Sequence, residues 1–285
     1  MGDVKYLVLG ANSFYGSNFV KLLREKGEEV VASTERFPVV NNLRWPDCVV
    51  NFAAKSLVVE SWDNPGIWLQ TNVMDTCAII ETARLQDCKC FIHISTPEVY
   101  GSSTNWVGEK TAFRPSTPYA VSRACADMML KAYWMAYKFP MMITRTANIY
   151  GPGQQSFRLI PKAFRTLRAG EKFSIHGKGS SLRSFIAVQD ACAALYLLSK
   201  RGDFGETYHI STEKTHSIKE VVEMICKLLK KDFKESVEFK PDRLGKDHAY
   251  LLQTEKIRLL GWEDTVVLEK GLQDYADSTA VAKTG

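Results

Sequence analysis

No stretch of this sequence reaches the about 18 consecutive apolar residues that span a bilayer, and no charged-then-apolar leader stands ahead of the first apolar run, Tyr6 to Leu9. A cytoplasmic protein with no membrane partner is therefore expected. Blocks of like charge are missing as well. The formal net charge of +5 comes from Lys and Arg scattered along the chain, which excludes a nucleic-acid-binding tail and suits an anionic small ligand. The seven cysteines, an odd number, form no paired framework, and Cys77, Cys125, Cys192 and Cys226 sit in apolar runs as reduced core thiols do. Cys88 and Cys90 stand one residue too close for a zinc knuckle, and His93, His176, His209, His216 and His248 show no metal-ligand spacing. No metal is expected. Internal repeats and low-complexity tracts are absent too.

What is present has the proportions of an ordinary enzyme. With 285 residues, 45% of them apolar, the chain can bury one large core, or a large and a small one. Strand-like runs alternate with helical patterns: Lys5 to Leu9, Phe19 to Lys26, Glu29 to Ala32, Cys48 to Phe52, Trp68 to Gln86, Cys90 to Ile94, Tyr119 to Tyr137 and Met141 to Thr144. Parallel neighbours need a connection long enough to return over the sheet face. The spacing therefore predicts an α/β fold, with a Rossmann-type doubly wound parallel sheet over residues 1–150 that binds a dinucleotide. After Tyr150-Gly-Pro-Gly153 the pattern loosens into mixed helices and short strands. Residues 151–285 are expected to form a smaller C-terminal substrate-binding lobe, with segments crossing between the two.

The first strand ends on Gly10 and leads, through Gly10-Ala-Asn-Ser-Phe-Tyr-Gly16, into a helix whose free N–H groups can receive a pyrophosphate. The candidate cofactor contacts there are Gly10, Asn12, Ser13, Phe14, Tyr15 and Gly16, joined by Ala53 after the third strand. Ser13 stands where the motif usually has its middle glycine and puts a side chain where the chain turns closest to phosphate. At the end of the second strand, Ser33 takes the place of the carboxylate of NAD-selective proteins. Glu35 could reach the ribose hydroxyls instead, or Ser33 and Arg36 could hold a 2′-phosphate, so the cofactor is read as NAD or NADP.

The segment Phe91-Ile-His-Ile-Ser-Thr-Pro-Glu-Val-Tyr100 brings a hydroxyl, Thr96, and a carboxylate, Glu98, to the end of a buried strand. Strand ends are where an α/β sheet presents side chains to its ligand crevice. Tyr119 and Arg123 are four residues apart and share one helix face, with Pro118 favourable in the first turn. A cation one turn away is expected to lower the phenol pKa of Tyr119. Arginine supplies that charge but no proton relay, because it is effectively never deprotonated.

In these motifs the chain resembles the extended short-chain dehydrogenase/reductases that act on nucleotide sugars, the NAD-dependent epimerase/dehydratase family, and within them the dTDP-glucose 4,6-dehydratases. Counterparts continue in the same order through Thr146-Ala-Asn148-Ile-Tyr150, Phe157-Arg158-Leu-Ile-Pro161, Gly177 to Arg183, Val188-Gln-Asp190, and Pro241-Asp-Arg243 to Tyr250. The resemblance implies an enzyme that oxidises a sugar C4 hydroxyl. Tyr119 would take the hydroxyl proton, Arg123 would grip the cofactor ribose, Thr96 would bridge Tyr119 to the substrate oxygen, and Glu98 would remove the proton next to the C4 ketone. The implied substrate is a nucleotide-diphosphate sugar held by Asn148, Arg158, Arg183 and Arg243, with His248 beside them. A homodimer paired through the helices from Trp68 and Tyr119 is implied as well, and Asn72 is placed to steady the loop that begins at Ala53.

The departures from the pattern are as informative as the matches. The dehydratases carry Asp where this chain has Pro97, Lys where it has Arg123, and Glu and His where it has Lys55 and Leu57. The stretch from Phe37 to Asp47 is shortened, so that one strand and helix of the cofactor domain are expected to be missing. Pro97 cannot protonate a departing C6 hydroxyl. Dehydration is the leading reaction on overall pattern; epimerisation, decarboxylation, reduction, or a binding homologue without turnover are its alternatives.

Overall fold

The structure, a computed structural model, describes residues 5–35, 46–103, 105–241 and 249–281. Six parallel strands build the main sheet: β1 (Lys5–Leu9), β2 (Glu29–Ser33), β3 (Cys48–Asn51), β4 (Cys90–Ser95), β5 (Met141–Thr146) and β6 (Thr207–Ile210). Their spatial order is β6-β5-β4-β3-β1-β2. The chain moves outward from β1 to β2 and then returns to lay β3 on the other side of β1. That reversal opens a crevice at the carboxyl ends of β1 and β3, where open α/β sheets bind their ligands. Among the described residues β2 is the edge strand on that side. The last strand, β6, comes from the second half of the chain.

Strand β1 shows why its run is apolar at every position. Tyr6 and Val8 pack on one face, Leu7 and Leu9 on the other, and none is more than 1% exposed. Helices cover both faces of a parallel sheet, which removes the polar alternation of a half-exposed strand. One cover is α1 (Phe14–Glu25), through Phe19 and Leu23; the opposite one is α2 (Asp75–Leu85) with α3 (Pro118–Tyr137), through Ile79, Ile80 and Leu130. A separate apolar core gathers Ile160, Phe164, Phe185, Val221, Ile225 and Leu272 from the second half of the chain.

The single helix expected from Trp68 to Gln86 is divided. Pro65–Leu69 is α-helical, Gln70–Met74 forms a π-turn, and α2 resumes at Asp75. The wider turn sets the Asn72 side chain inward at 0% exposure. Its amide accepts the Lys55 N–H at 2.8 Å and donates to the Lys55 carbonyl at 3.0 Å and to Ser122 Oγ at 2.9 Å. The loop after β3 is thereby fastened to α3, the steadying role expected of Asn72.

All seven cysteines are free thiols; Cys77 and Cys125 are half-buried on α2 and α3, and the other five are buried. Among the described residues no helix is long and apolar enough to cross a membrane, and no group of His, Cys, Asp or Glu side chains is arranged to hold a metal ion.

Candidate active site

The turn between β1 and α1 is built by close backbone approach. Gly10 has a φ of +70°, and a Cβ there would meet the Ala53 nitrogen at 2.8 Å. At Gly16 an added Cβ would stand 2.5 Å from the Gly10 carbonyl oxygen. Both positions exclude a side chain on packing alone. Ser13 is the N-cap of α1, and its Oγ accepts the Gly16 N–H at 3.1 Å. The hydroxyl is folded into the helix start, which is why the helix begins at Phe14, ahead of the apolar stripe that begins at Phe19. The first-turn N–H groups of Phe14 and Tyr15 have no acceptor within the helix and are available to a ligand. The Tyr15 phenol donates to the Ala191 carbonyl at 2.9 Å, so it braces the turn.

Ser33 supports the same turn from β2. Its carbonyl accepts the Ala11 N–H at 3.0 Å and its hydroxyl accepts the Glu35 N–H at 3.4 Å. Arg36, paired with it in the reading of a 2′-phosphate site, lies outside the described residues.

A cavity of about 400 Å³ opens at the carboxyl ends of the central strands, a size suited to a small-molecule or cofactor site. Ser13, Phe14 and Tyr15 line it from the first turn, Thr96 and Glu98 from the end of β4, Tyr119 and Arg123 from α3, and Asn148 and Arg158 from beyond β5. Residues as distant in sequence as Ser13 and Arg158 are thus brought to one wall. Gly10, Asn12, Gly16, Ser33 and Ala53 do not line it; Gly10 and Gly16 shape the turn through close backbone approach, and Asn12 is exposed. Alternate residues of the loop after β3, Phe52, Ala54 and Ser56, face the cavity. Lys55 instead turns its ammonium over the Trp68 ring, 5.1 Å from the centroid, and Leu57 is not on the wall. Neither departure, at 55 or at 57, therefore contributes a side chain to the wall. Arg183 is also off this wall: its guanidinium lies 4.8 Å from the Tyr250 ring centroid and donates to the Leu182 carbonyl at 2.7 Å. Arg243 and His248 lie outside the described residues.

Local chemistry explains how α3 aims its two side chains. Thr117 caps the helix by accepting the Ala120 N–H at 3.1 Å, Pro118 starts it, and Ser61 Oγ accepts the Tyr119 N–H at 3.2 Å. Tyr119 is then 8% exposed and Arg123 1%, so the pair belongs to the interior and not to a solvated helix face. The expected lowering of the Tyr119 pKa is outweighed. Burial, followed by the negative charge of Glu98, pushes the phenol above its usual value; Arg123, a hydrogen bond with Thr96 and the charge of Arg158 pull it part of the way back. Thr96 also caps the short 3₁₀ turn Pro97–Tyr100, its Oγ1 accepting the Glu98 N–H at 3.3 Å. One hydroxyl thus serves the phenol and fixes the segment that carries the carboxylate.

Arg123 holds a partner that its sequence position did not reveal. Its Nη2 donates to His93 Nε2 at 3.0 Å and to the Ile94 carbonyl, while Nη1 is buried with no hydrogen-bond partner among the described residues. Behind it, Ser95 donates to Asp127 at 2.9 Å, and Asp127 pairs with the equally buried Arg145 at 2.7 Å, tying β4 and β5 to α3. Arg123, whose side chain lines the cavity and whose buried Nη1 has no hydrogen-bond partner among the described residues, and the N–H groups at the start of α1 are donors of the kind a dinucleotide requires, and the residues present fit such a group.

Residues 38–275 of the chain match the family described as GDP-mannose 4,6 dehydratase. The chain is similar to the dTDP-glucose 4,6-dehydratase of Xanthomonas campestris pv. campestris, 34% identical over 252 residues that cover 81% of this chain and 72% of that protein. The low-salt glycan biosynthesis protein Agl12 of Haloferax volcanii is 32% identical over 301 residues, covering 95% of this chain and 97% of its own. Among solved structures, the dTDP-glucose 4,6-dehydratase DesIV of Streptomyces venezuelae, with NAD bound, aligns over 98% of both chains at a TM-score of 0.92 and 28% identity.

Proposed function

The chain belongs to the GDP-mannose 4,6-dehydratase family, within the extended short-chain dehydrogenase/reductases, and from that premise we propose that it oxidises the C4 hydroxyl of a nucleotide-diphosphate sugar with bound NAD or NADP. Removal of water across C5 and C6 is the leading reaction. The observation that carries this reading is one cavity in which Thr96, Glu98, Tyr119 and Arg123 share a wall with the Ser13–Tyr15 turn and with Asn148 and Arg158.

A bound nicotinamide would supply hydride acceptance from C4 and, once water has left, return of that hydride to C6 with a proton to C5, so that the net change is the loss of one water. The chain's own side chains move the protons. Tyr119 takes the proton of the sugar hydroxyl, and the cations Arg123 and Arg158 favour the resulting phenolate against the cost of burial. Thr96 orients both oxygens. Arg158 and Asn148 face the diphosphate, and the guanidinium fork matches phosphate oxygens in a bidentate manner.

Glu98 is the only carboxylate among the described residues of the cavity wall. It removes the proton next to the new ketone. With Pro97 beside it, elimination requires the same carboxyl, now protonated, to return that proton to the departing C6 hydroxyl so that water leaves. Reactions with no departing hydroxyl need no acid at position 97, and for that reason epimerisation, decarboxylation or reduction form the second reading.

Incubating the protein with dTDP-glucose and with UDP-sugars and weighing the products by mass spectrometry separates these outcomes. Loss of 18 mass units, the mass of one water, is the expected result. Loss of carbon dioxide would identify a decarboxylase. A sugar that is bound but unchanged in mass and configuration would reduce the chain to a binding homologue.

The partner in this reading is a second copy of the chain. Val121, Met128 and Met135 recur every seven residues on α3 and are 39%, 55% and 70% exposed, and Met74, just before α2, is 59% exposed. An exposed apolar stripe at that spacing suits a helix-bundle interface. Met128→Glu is expected to turn a dimer into a monomer in size-exclusion chromatography with light scattering. A wild-type protein that already elutes as a monomer would remove the homodimer.

A further inference from the structure

His93 is 0% exposed and sits on β4 directly beside Asn51 of β3 in the parallel register. On one side of the ring, Nε2 lies 3.0 Å from Arg123 Nη2; on the other, Nδ1 lies 3.4 Å from Asn51 Nδ2, the Asn51 oxygen being taken by the Ala53 N–H at 3.0 Å. Both neighbours are donors and a neutral imidazole has one acceptor nitrogen, so the closer, charged guanidinium takes it at Nε2, which leaves the proton on Nδ1 and no hydrogen bond to Asn51 Nδ2. Burial, and then the charges of Arg123 and Arg145, hold the His93 pKa well below the usual histidine range, which favours the neutral ring and its lone pair.

The consequence concerns the cation next to Tyr119. A lysine ammonium is a compact charge with three equivalent donors, whereas an arginine carries a rigid fork that must be oriented before any one N–H is useful. In this chain one arm of the fork is fixed to β4 by His93 and the Ile94 carbonyl. The other, Nη1, is left buried, without a partner among the described residues, and part of a side chain that lines the cavity.

We propose that His93 is a positioning residue: it fixes Nη2 of Arg123 against the sheet and thereby aims Nη1 at an acceptor oxygen of the bound dinucleotide. The role is tied to arginine at position 123. It rests on the dinucleotide reading above, and the test keeps the two apart.

The test is a double-mutant cycle on the full-length protein, read by NADH and NADPH binding through nicotinamide fluorescence, with thermal midpoints recorded in parallel. His93→Leu is expected to weaken binding of the preferred dinucleotide by about ten- to a hundredfold, the range for loss of a hydrogen bond to a charged group. His93→Gln, whose amide oxygen can accept from Nη2, is expected to restore most of that loss. In an Arg123→Lys background, His93→Leu is expected to change affinity by less than about threefold, because the fork it served is gone. Equal losses in the arginine and lysine backgrounds, or full affinity in a folded His93→Leu protein, would overturn the proposal while leaving the dinucleotide site intact. A wild-type protein that binds neither NADH nor NADPH overturns the dinucleotide reading, and this role of His93 with it. Should His93→Leu not fold, His93→Asn, too short to reach Nη2, takes its place in the cycle with the same expected outcomes.

Discussion

Replacing Tyr119 by phenylalanine is expected to lower turnover by about a hundred- to ten-thousandfold, the usual worth of a positioned general base, while the dinucleotide stays bound. The substitution removes one oxygen from an 8% exposed ring and leaves the capped start of α3, with Thr117, Pro118 and Ser61, untouched. The fold and the cradle at Gly10 and Gly16 should therefore persist. The check is a pair of measurements on the same preparation: nicotinamide fluorescence for binding, and product formation by mass for turnover. Unchanged turnover would refute the assignment of Tyr119 as base. Loss of binding together with turnover would show that the phenol holds the cofactor and that its part in chemistry is unsupported.

Installing the missing acid is the second large effect. Pro97→Asp places a carboxyl between two residues that line the cavity, Thr96 and Glu98, at the buried first position of the 3₁₀ turn, where burial favours the protonated acid. Losing proline's restriction of the unfolded chain costs about 0.4–1 kcal/mol. If water is eliminated with Glu98 serving as both base and acid, a dedicated acid should raise the rate of water loss by about a hundredfold or more. A flat or reduced rate, measured as formation of the dehydrated sugar, would favour a reaction without a departing hydroxyl. The two variants are complementary: Tyr119→Phe tests oxidation at C4, and Pro97→Asp tests the fate of the resulting ketone.

How these side chains meet could be read only partly from the chain. The alternation of strands and helices, the Gly10–Gly16 turn and the shared face of Tyr119 and Arg123 depend on local periodicity, which a linear sequence displays directly. The resemblance of Asn148 and Arg158 to dehydratase counterparts placed them at the cavity. Boundaries were less legible. The π-turn at Gln70–Met74 has no local sequence signal, since it exists to let Asn72 reach the loop at Lys55. Ser13 was legible as a departure from glycine, but its use as a helix cap depends on a hydrogen-bond partner three residues on that only a completed turn provides.

The sequence by itself determined the class of sheet, the position of its ligand crevice and the identity of the phenol, hydroxyl, carboxylate and cation gathered there. Tertiary structure decided the direction in which each points and how its charge behaves. The Tyr119 pKa is raised because burial and Glu98 outweigh Arg123, and that balance belongs to a folded interior in which residues far apart along the chain share one low-dielectric wall. The fork of Arg123 turns to His93 because parallel pairing sets Asn51, His93 and the α3 face side by side, a juxtaposition fixed by strand register and invisible to any window read along the sequence.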